Sequence, residues 1–185
     1  KTTVANITGR LGDLFELDIR TGSVIKAQTV IAAHGKRGSL DRALERDFLD
    51  HHQPFVGLKA HFHGPAIPNR IEMHTFPGGY CGISEIEGGA LNVCLLARQD
   101  VFQSARDYSL VQPESFIHWM KEQNTALRLW LEQAERISER WLSIGQVPFV
   151  RKRAVVNDVL MAGDAAGLIA PIAGDGIAMA LQAGR

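Results

Sequence analysis

The stretch Val159-Leu160-Met161-Ala162-Gly163-Asp164-Ala165-Ala166-Gly167 decides how this sequence is interpreted. Its leading apolar residues predict a short buried strand, and the glycine after them predicts a turn. Open α/β sheets bind ligands at the carboxyl ends of their strands, so Asp164 is the first candidate binding residue. Its carboxylate can accept hydrogen bonds from a ribose or polyol hydroxyl. The residues around it are small, which lets a bulky ligand approach the backbone: Gly163, Ala165, Ala166 and Gly167.

A second stretch, Pro171-Ile172-Ala173-Gly174-Asp175-Gly176, leads into an apolar helical run at 177–183. Gly174 and Gly176 open this helix, whose free N–H groups and positive dipole end favour an anionic or electron-rich group. A Gly-Asp dipeptide alone is more often a plain turn between a strand and a helix. The complete order of strand, glycine turn and helix instead favours a ligand-binding site.

Composition limits the classes of protein to consider. The 185 residues are 45% hydrophobic and 22% charged, which is typical of a folded globular protein. Lys and Arg together number 20, as do Asp and Glu, so the zero net charge argues against nucleic acid as a partner. The longest apolar runs have about six residues, far below the roughly 20 of a transmembrane helix. Two cysteines, Cys81 and Cys94, are too few for a disulfide framework or a thiolate zinc site. We therefore expect a cytoplasmic protein with no transmembrane segment.

The first third of the chain predicts strands followed by a short helix. Strands are expected at 14–19 and 23–27, around a glycine-bearing loop, and at 29–33, where a continuous apolar run predicts a strand buried on both faces. A helix is predicted over 40–49, with Ser39 as its N-cap.

The middle of the chain predicts an antiparallel sheet and then helices. Helical spacing covers 104–140, with Pro113 at a helix start and Thr125 as a cap. A hairpin at 87–89 joins the last two of four predicted strands, which are 55–63, 70–76, 79–86 and 90–96.

This order predicts an α/β fold in which a Rossmann-like domain is interrupted by an antiparallel sheet. We expect residues 1–50 and 146–185 to form parts of the first domain, and 51–145 to form the insertion. A simple α+β layer is the alternative. The sequence starts at Lys1 and stops directly after a helical run, so we also expect it to be part of a longer polypeptide.

The two quoted stretches, with Ala180-Leu181-Gln182-Ala183-Gly184 after them, resemble the second FAD-binding motif of a flavoprotein superfamily. It contains the aromatic-hydroxylase-type FAD monooxygenases and the geranylgeranyl reductases. The resemblance implies that Asp164 holds the ribityl chain of FAD, within a cofactor-binding turn that includes Gly163, Ala165 and Gly167. It also implies that a loop lies along the isoalloxazine ring through Pro171, Gly174, Asp175 and Gly176.

A second match lies at 32–42, which resembles the superfamily's strand and Asp-Gly motif ending in Ser-x-x-Arg. This motif lies near the pyrophosphate, which implies that Gly35 and Arg42 bind the cofactor. His34 stands where aspartate is usual, and Asp41 falls between the Ser and the Arg. The superfamily's N-terminal G-x-G-x-x-G is absent from this sequence, so a missing N-terminal part is expected.

A third match concerns the substrate. Residues 75–82 resemble the substrate-domain segment of geranylgeranyl reductases, although Glu72 and His74 replace an aromatic pair that is typical there. Aromatic residues of the predicted sheet are candidates for a pocket wall, with core packing as their commoner role: Phe55, Phe62, Phe76 and Tyr80.

The resemblance implies a FAD-dependent oxidoreductase that uses NAD(P)H on a small hydrophobic or aromatic substrate. Hydroxylation by a monooxygenase and double-bond reduction both remain open. No catalytic side chain is assigned, because no nucleophile–base pair or carboxylate dyad is recognisable. One rival is a non-enzymatic nucleotide-binding module. Another is a metal-dependent β-sheet enzyme that uses His61, His63 and His74.

Two smaller features have open interpretations. Cys81 and Cys94 would face each other across the hairpin only in one register, so a disulfide is an alternative to two free thiols. The cluster Arg151-Lys152-Arg153 is interpreted as a solvated loop, with contact to phosphate or to the nicotinamide cofactor as the alternative.

Overall fold

The computed structural model describes residues 2–52, 54–105 and 112–184. They form two compact units, one made of Lys1–His52 with Pro148–Arg185 and the other of Gln53–Val147. In chain order the strands are β1 (Val4–Thr8), β2 (Phe15–Ile19), β3 (Val24–Ala27), β4 (Ile31–Ala32), β5 (Phe55–His63), β6 (Ile71–Phe76), β7 (Gly79–Glu85), β8 (Leu91–Arg98), β9 (Glu135–Arg136), β10 (Leu142–Ile144), β11 (Val155–Val156) and β12 (Val159–Met161). The α-helices are α1 (Ser39–Ala43), α2 (Gln99–Ser104), α3 (Glu114–Gln123), α4 (Thr125–Glu132) and α5 (Gly176–Ala183). None of these helices has the length and apolar character needed to cross a lipid bilayer.

The first unit contains two small sheets. β1, β2 and β3 form an antiparallel sheet, which confirms the predicted hairpin. In the second sheet β12 lies between β11 and β4, antiparallel to β11 and parallel to β4, with Leu160 opposite Ile31. The core of this unit contains Phe15, Leu44 and Val159. The parallel pair is the element that positions the candidate site.

Three expectations for the first unit are wrong. β4 is only two residues long and Ile31 is 64% exposed, so this strand is buried on one face rather than on both. The helix predicted over 40–49 stops at Ala43, because Glu45 has a left-handed backbone (φ 49°), and a 3-10 turn follows at Asp47–Asp50. Its N-cap is Gly38 instead of Ser39, and the Gly38 N–H donates to Asp41 Oδ2 at 2.6 Å.

The second unit is an antiparallel sheet with helices on one face. The strand order is β10-β5-β8-β7-β6, and β9 also pairs with β5. Side chains alternate along each strand, so every second residue lies on the face that packs against α3 and α4. The core on this face joins sheet residues such as Leu58, Ile83 and Val93 to Phe116 and Leu127 of the helices.

The other side of the sheet, called here the second face, is more polar. Its residues pair with one another across the strands, His61 with Asn92, Asn92 with Ser84, and Tyr80 with Leu96. The second face includes Lys59, His61, Met73, Tyr80, Ser84, Asn92, Cys94 and Leu96.

The four predicted strands of this sheet are confirmed to within two residues, but the helical prediction over 104–140 is wrong in part. Asn124 interrupts it and caps α4 through its side chain, which accepts a hydrogen bond from the Leu127 N–H at 2.9 Å. The cap is therefore Asn124 and not Thr125. Helix ends at Glu132 and β9 starts at Glu135, while 106–111 lie outside the described residues.

The register of the sheet overturns two alternatives. Cys81 lies opposite Leu95 and Cys94 opposite Gly82, so the two thiols lie on opposite faces and cannot form a disulfide. His61 and His63 lie on β5, while His74 lies on β6, with β8 and β7 between them. Within the described part of the chain, no cluster of three or more His, Cys, Asp or Glu residues could hold a metal ion. The metal-enzyme alternative is therefore wrong for these histidines.

Candidate functional site

The parallel pair brings the two strongest sequence motifs to one edge of a sheet. The Ala162 N–H donates to the Ala32 carbonyl at 3.1 Å, which continues the pairing of β12 with β4. His34-Gly35 follows β4, and Gly163-Asp164 follows β12. Both segments therefore lie at the carboxyl edge, where α/β sheets bind ligands.

Glycine is required in both turns because the backbone there is left-handed. Gly35 has φ 87° and Gly163 has φ 59°, a region that residues with a Cβ rarely adopt. A Cβ added to Gly35 would meet open space, so the turn leaves room above its backbone. Asp164 lies in a 3-10 turn at Gly163–Ala165, and its side chain is exposed.

A cavity of about 210 Å³ lies between this turn and α5. Its wall contains Asp164 and is otherwise formed by small or apolar residues, namely Gly163, Ala166, Gly167, Ile169, Gly176, Met179, Ala180 and Ala183. Small side chains on both sides create the space.

The second stretch forms the start of α5. Pro171–Ala173 is a 3-10 turn that ends at Gly174, whose backbone is left-handed (φ 73°). The first hydrogen bond within α5 runs from the Met179 N–H to the Asp175 carbonyl, so the three preceding N–H groups have no partner inside the helix. Asp175 is the N-cap residue, and its exposed side chain makes no capping hydrogen bond. This helix end can donate hydrogen bonds to an electron-rich group.

Asp41 is buried in the core of the first unit, whereas its neighbour Arg42 is not. Arg42 is exposed on α1, whereas Asp41 is fully buried. Asp41 Oδ1 lies 2.9 Å from Arg46 Nη1 and 3.0 Å from His34 Nε2. Burial by itself would raise the pKa of Asp41, but hydrogen bonds from His34, the Gly38 N–H and Arg46 outweigh it and lower that pKa. The carboxylate beside His34 is therefore that of the buried Asp41.

Two buried cations, which sequence reasoning missed, hold the Gly163–Ala165 turn. Arg46 Nη1 donates to the Ala165 carbonyl at 2.8 Å, and Lys152 Nζ donates to the Asp164 carbonyl at 2.8 Å. Lys152 is only 8% exposed. The solvated-loop interpretation is therefore wrong for Lys152, although Arg151 and Arg153 are exposed.

Cations surround the edge where the two motifs meet. Burial lowers the pKa of Lys36, the charge of Arg37 adds to this shift, and the charge of Asp164 opposes it. Burial likewise lowers the pKa of Lys152, together with the charge of Arg46. Lys36 and Lys152 both lie near the exposed Asp164 carboxylate, and their positive charge makes this edge suited to an anionic ligand.

The aromatic candidates for a pocket wall separate by face. Phe62 packs against Trp130 and Trp141, with ring centroids 6.1 and 5.7 Å away. Phe76 packs against Phe116 in the same covered core, at 5.8 Å. The core-packing alternative describes both.

Tyr80 and Phe55 are half-buried and lie outside this core. Tyr80 lies on the second face, where its role at a pocket stays a prediction. Sequence reasoning missed Asn92 on that face, whose Oδ1 is buried and has no hydrogen-bond partner among the described residues. Asn92 lies between the buried Leu91 and Val93, and this alternation is the sequence signal that indicates its position on the second face.

No protein-family model matches the sequence, and no curated protein matches it. Solved structures do match. The flavin-dependent halogenase CmlS aligns with 98% of this chain and 34% of its own, at a TM-score of 0.77 and 18% identity. The flavin-dependent brominase Bmp2 aligns with 98% of this chain and 47% of its own (TM-score 0.73, 16% identity). A flavoprotein/dehydrogenase from Cytophaga hutchinsonii aligns with 99% and 46% (TM-score 0.72, 18% identity).

The chain shares its fold with these flavin-dependent proteins. It spans between a third and a half of the length of these structures. The predicted mixed α/β class with an antiparallel sheet is confirmed by this shared fold. The halogenase PltM, solved in complex with phloroglucinol and FAD, shares this fold at a TM-score of 0.73 and 14% identity, over 98% of this chain and 40% of its own.

Proposed function

We propose that this chain provides the FAD-binding edge and the substrate-facing sheet of a flavin-dependent oxidoreductase. The observation that supports the proposal most is the meeting of the two FAD-like motifs at the carboxyl edge of β4 and β12. The motifs are far apart in the sequence, and each of them independently resembles an FAD-binding motif.

The residues at the edge fit the parts of FAD. Gly35 leaves open space above its backbone, and Lys36 and Arg37 beside it suit a diphosphate. The exposed Asp164 carboxylate is free to accept hydrogen bonds from ribityl hydroxyls. The open N-terminus of α5 suits the electron-rich N1–C2 carbonyl edge of the flavin ring.

When bound, FAD supplies the transfer of a hydride or of electrons. The protein's own residues bind and orient it and favour the negative charge of the reduced ring at the helix end. We propose NAD(P)H as the reductant and a small hydrophobic or aromatic molecule as the substrate, with the second face of the sheet as the substrate-binding surface. The phloroglucinol complex of PltM supports an aromatic substrate.

The test is a visible spectrum of the full-length protein. Bands near ~450 nm that bleach on addition of NAD(P)H are expected for a flavin oxidoreductase. Flavin that is bound but never reduced would favour the non-enzymatic nucleotide-binding module. A colourless protein that acquires no flavin on reconstitution with FAD would contradict the proposal.

Oxygen and halide dependence then separate the possible reactions. Turnover that requires oxygen and a halide indicates halogenation, turnover that requires oxygen alone indicates hydroxylation, and product formed without oxygen indicates double-bond reduction. The halogenase neighbours favour the first outcome among the two oxygen-dependent ones.

A further inference from the structure

Lys152 lies between the two segments that carry the FAD-like motifs. Its Nζ donates to the Lys36 carbonyl at 2.6 Å and to the Asp164 carbonyl at 2.8 Å. Lys36 belongs to the segment after β4, and Asp164 to the segment after β12. An ammonium group donates three hydrogen bonds and accepts none, so a single nitrogen can join two carbonyls.

The surroundings of this ammonium group fix it in place. The Phe48 ring centroid lies 4.4 Å from Nζ, a cation–π distance. Arg46 lies 5.1 Å from the same centroid and donates to the next carbonyl of the turn, that of Ala165. Buried cations therefore hold two consecutive carbonyls of the turn. Of Arg46 and Lys152, it is Lys152 that also donates to the segment after β4.

A buried cation hydrogen-bonded to backbone carbonyls is costly, because each carbonyl replaces only part of the lost hydration. Such a group fixes the backbone on which the Asp164 side chain is mounted. A small displacement of a binding group weakens its contact with a ligand strongly. Lys152 thus acts on the cofactor edge through Asp164 and Lys36 rather than by touching a ligand.

We propose that Lys152 is a positioning residue that couples the segment after β4 to the Gly163–Ala165 turn and so sets the affinity for FAD. The part of this inference that concerns FAD rests on the proposed function. The coupling of the two segments is a property of the protein alone.

The experiment compares Lys152→Met with Arg151→Met in the full-length protein. Methionine keeps most of the length of the lysine side chain but removes the donors, and Arg151 is the exposed neighbour. Amide hydrogen exchange without FAD is expected to speed up in both 34–38 and 162–167 in Lys152→Met, and in neither segment in Arg151→Met. FAD affinity is expected to fall about 10- to 100-fold in Lys152→Met only.

A double mutant separates positioning from general destabilisation. If Lys152 acts through Asp164, its effect on FAD affinity shrinks in an Asp164→Ala background, whereas a merely structural role gives additive effects. Lys152→Arg is the second variant, because its charge is retained but its planar group cannot place one nitrogen between both carbonyls. The FAD affinity of Lys152→Arg is expected to lie between those of the wild type and Lys152→Met. This variant tests the positioning role if Lys152→Met does not fold.

Faster exchange in only one segment, or in neither, would overturn the coupling. Unchanged FAD affinity in the folded variants, or additive effects in the double mutant, would overturn the positioning role. Wild-type protein that binds no FAD would contradict the proposed function, and the exchange measurement would still decide the coupling.

Discussion

Arg46 Nη1 lies 2.9 Å from Asp41 Oδ1, with the two side chains only 2% and 0% exposed. The same guanidinium donates to the carbonyls of Ala165 and Arg153. One buried ion pair therefore links α1 to the Gly163–Ala165 turn and to the segment before β11. The candidate cofactor edge is built on this pair.

Removal of Arg46 is expected to destabilise the protein strongly. Arg46→Met leaves the Asp41 carboxylate buried without its guanidinium partner, which costs about 3–5 kcal/mol of unfolding free energy. Chemical denaturation measures the change. Arg10→Met, which breaks the exposed pair with Asp13, is the matched control and should cost less than about 1 kcal/mol. Equal losses in the two variants would contradict the central place of the buried pair.

Asp41 is expected to make the protein sensitive to acid. Its pKa is lowered from 3.8 in the folded protein, so its contribution to stability is present above that value and is lost as the pH falls through the folded pKa. Asp41→Asn removes this titration. The unfolding free energy of the wild type should therefore fall more steeply than that of Asp41→Asn below about pH 4. Parallel pH profiles of the two proteins would show that Asp41 has no lowered pKa.

Asp164 is expected to contribute to FAD binding but not to the stability of the fold. Asp164→Ala removes an exposed charged acceptor, so flavin binding should weaken by about 1–3 kcal/mol while the melting temperature of the flavin-free protein stays constant. Fluorescence titration with FAD measures the affinity. Asp13→Ala is the control for loss of an exposed carboxylate in the same unit. Unchanged flavin retention in Asp164→Ala would remove the main site assignment.

Gly79 is expected to tolerate no side chain. A Cβ there would lie 2.5 Å from Phe76 Cε2 and in contact with the Leu96 carbonyl oxygen, because β7 is closely packed between its neighbours. Gly79→Ala should destabilise the second unit by about 1–3 kcal/mol. Gly145→Ala, where a Cβ meets open space, is the control and should change little. Thermal unfolding measures the difference, and equal midpoints for the two variants would contradict the close packing at Gly79.

Much of the second unit follows from local sequence. The alternation of apolar and polar residues through 55–63 matches β5, because the pleat of a strand repeats every two residues. The helical spacing after Pro113 also holds as far as Glu132, apart from the break at Asn124. It fails beyond this point because pairing with β5 takes Glu135 and Arg136 into a strand, and that partner is distant in the sequence.

The buried cations show what local patterns cannot predict. Arg46 lies 119 residues from Ala165, and Lys152 lies 116 residues from Lys36. Nothing near Arg46 or Lys152 in the sequence distinguishes them from exposed neighbours such as Arg42 and Arg151. Their burial depends on the pairing of β4 with β12, whereas the turn that carries Asp164 was predictable from the residues next to it.

The pairing of Leu160 with Ile31 also has a consequence for biosynthesis. Residues 53–147 form a unit from one unbroken stretch of chain, and such a unit can fold while the ribosome is still at work. The candidate cofactor edge cannot form this early. Its two segments, which follow β4 and β12, meet only after β12 and the turn that follows it have been translated. Any ligand of this edge therefore binds only after residues 53–147 have already been synthesised.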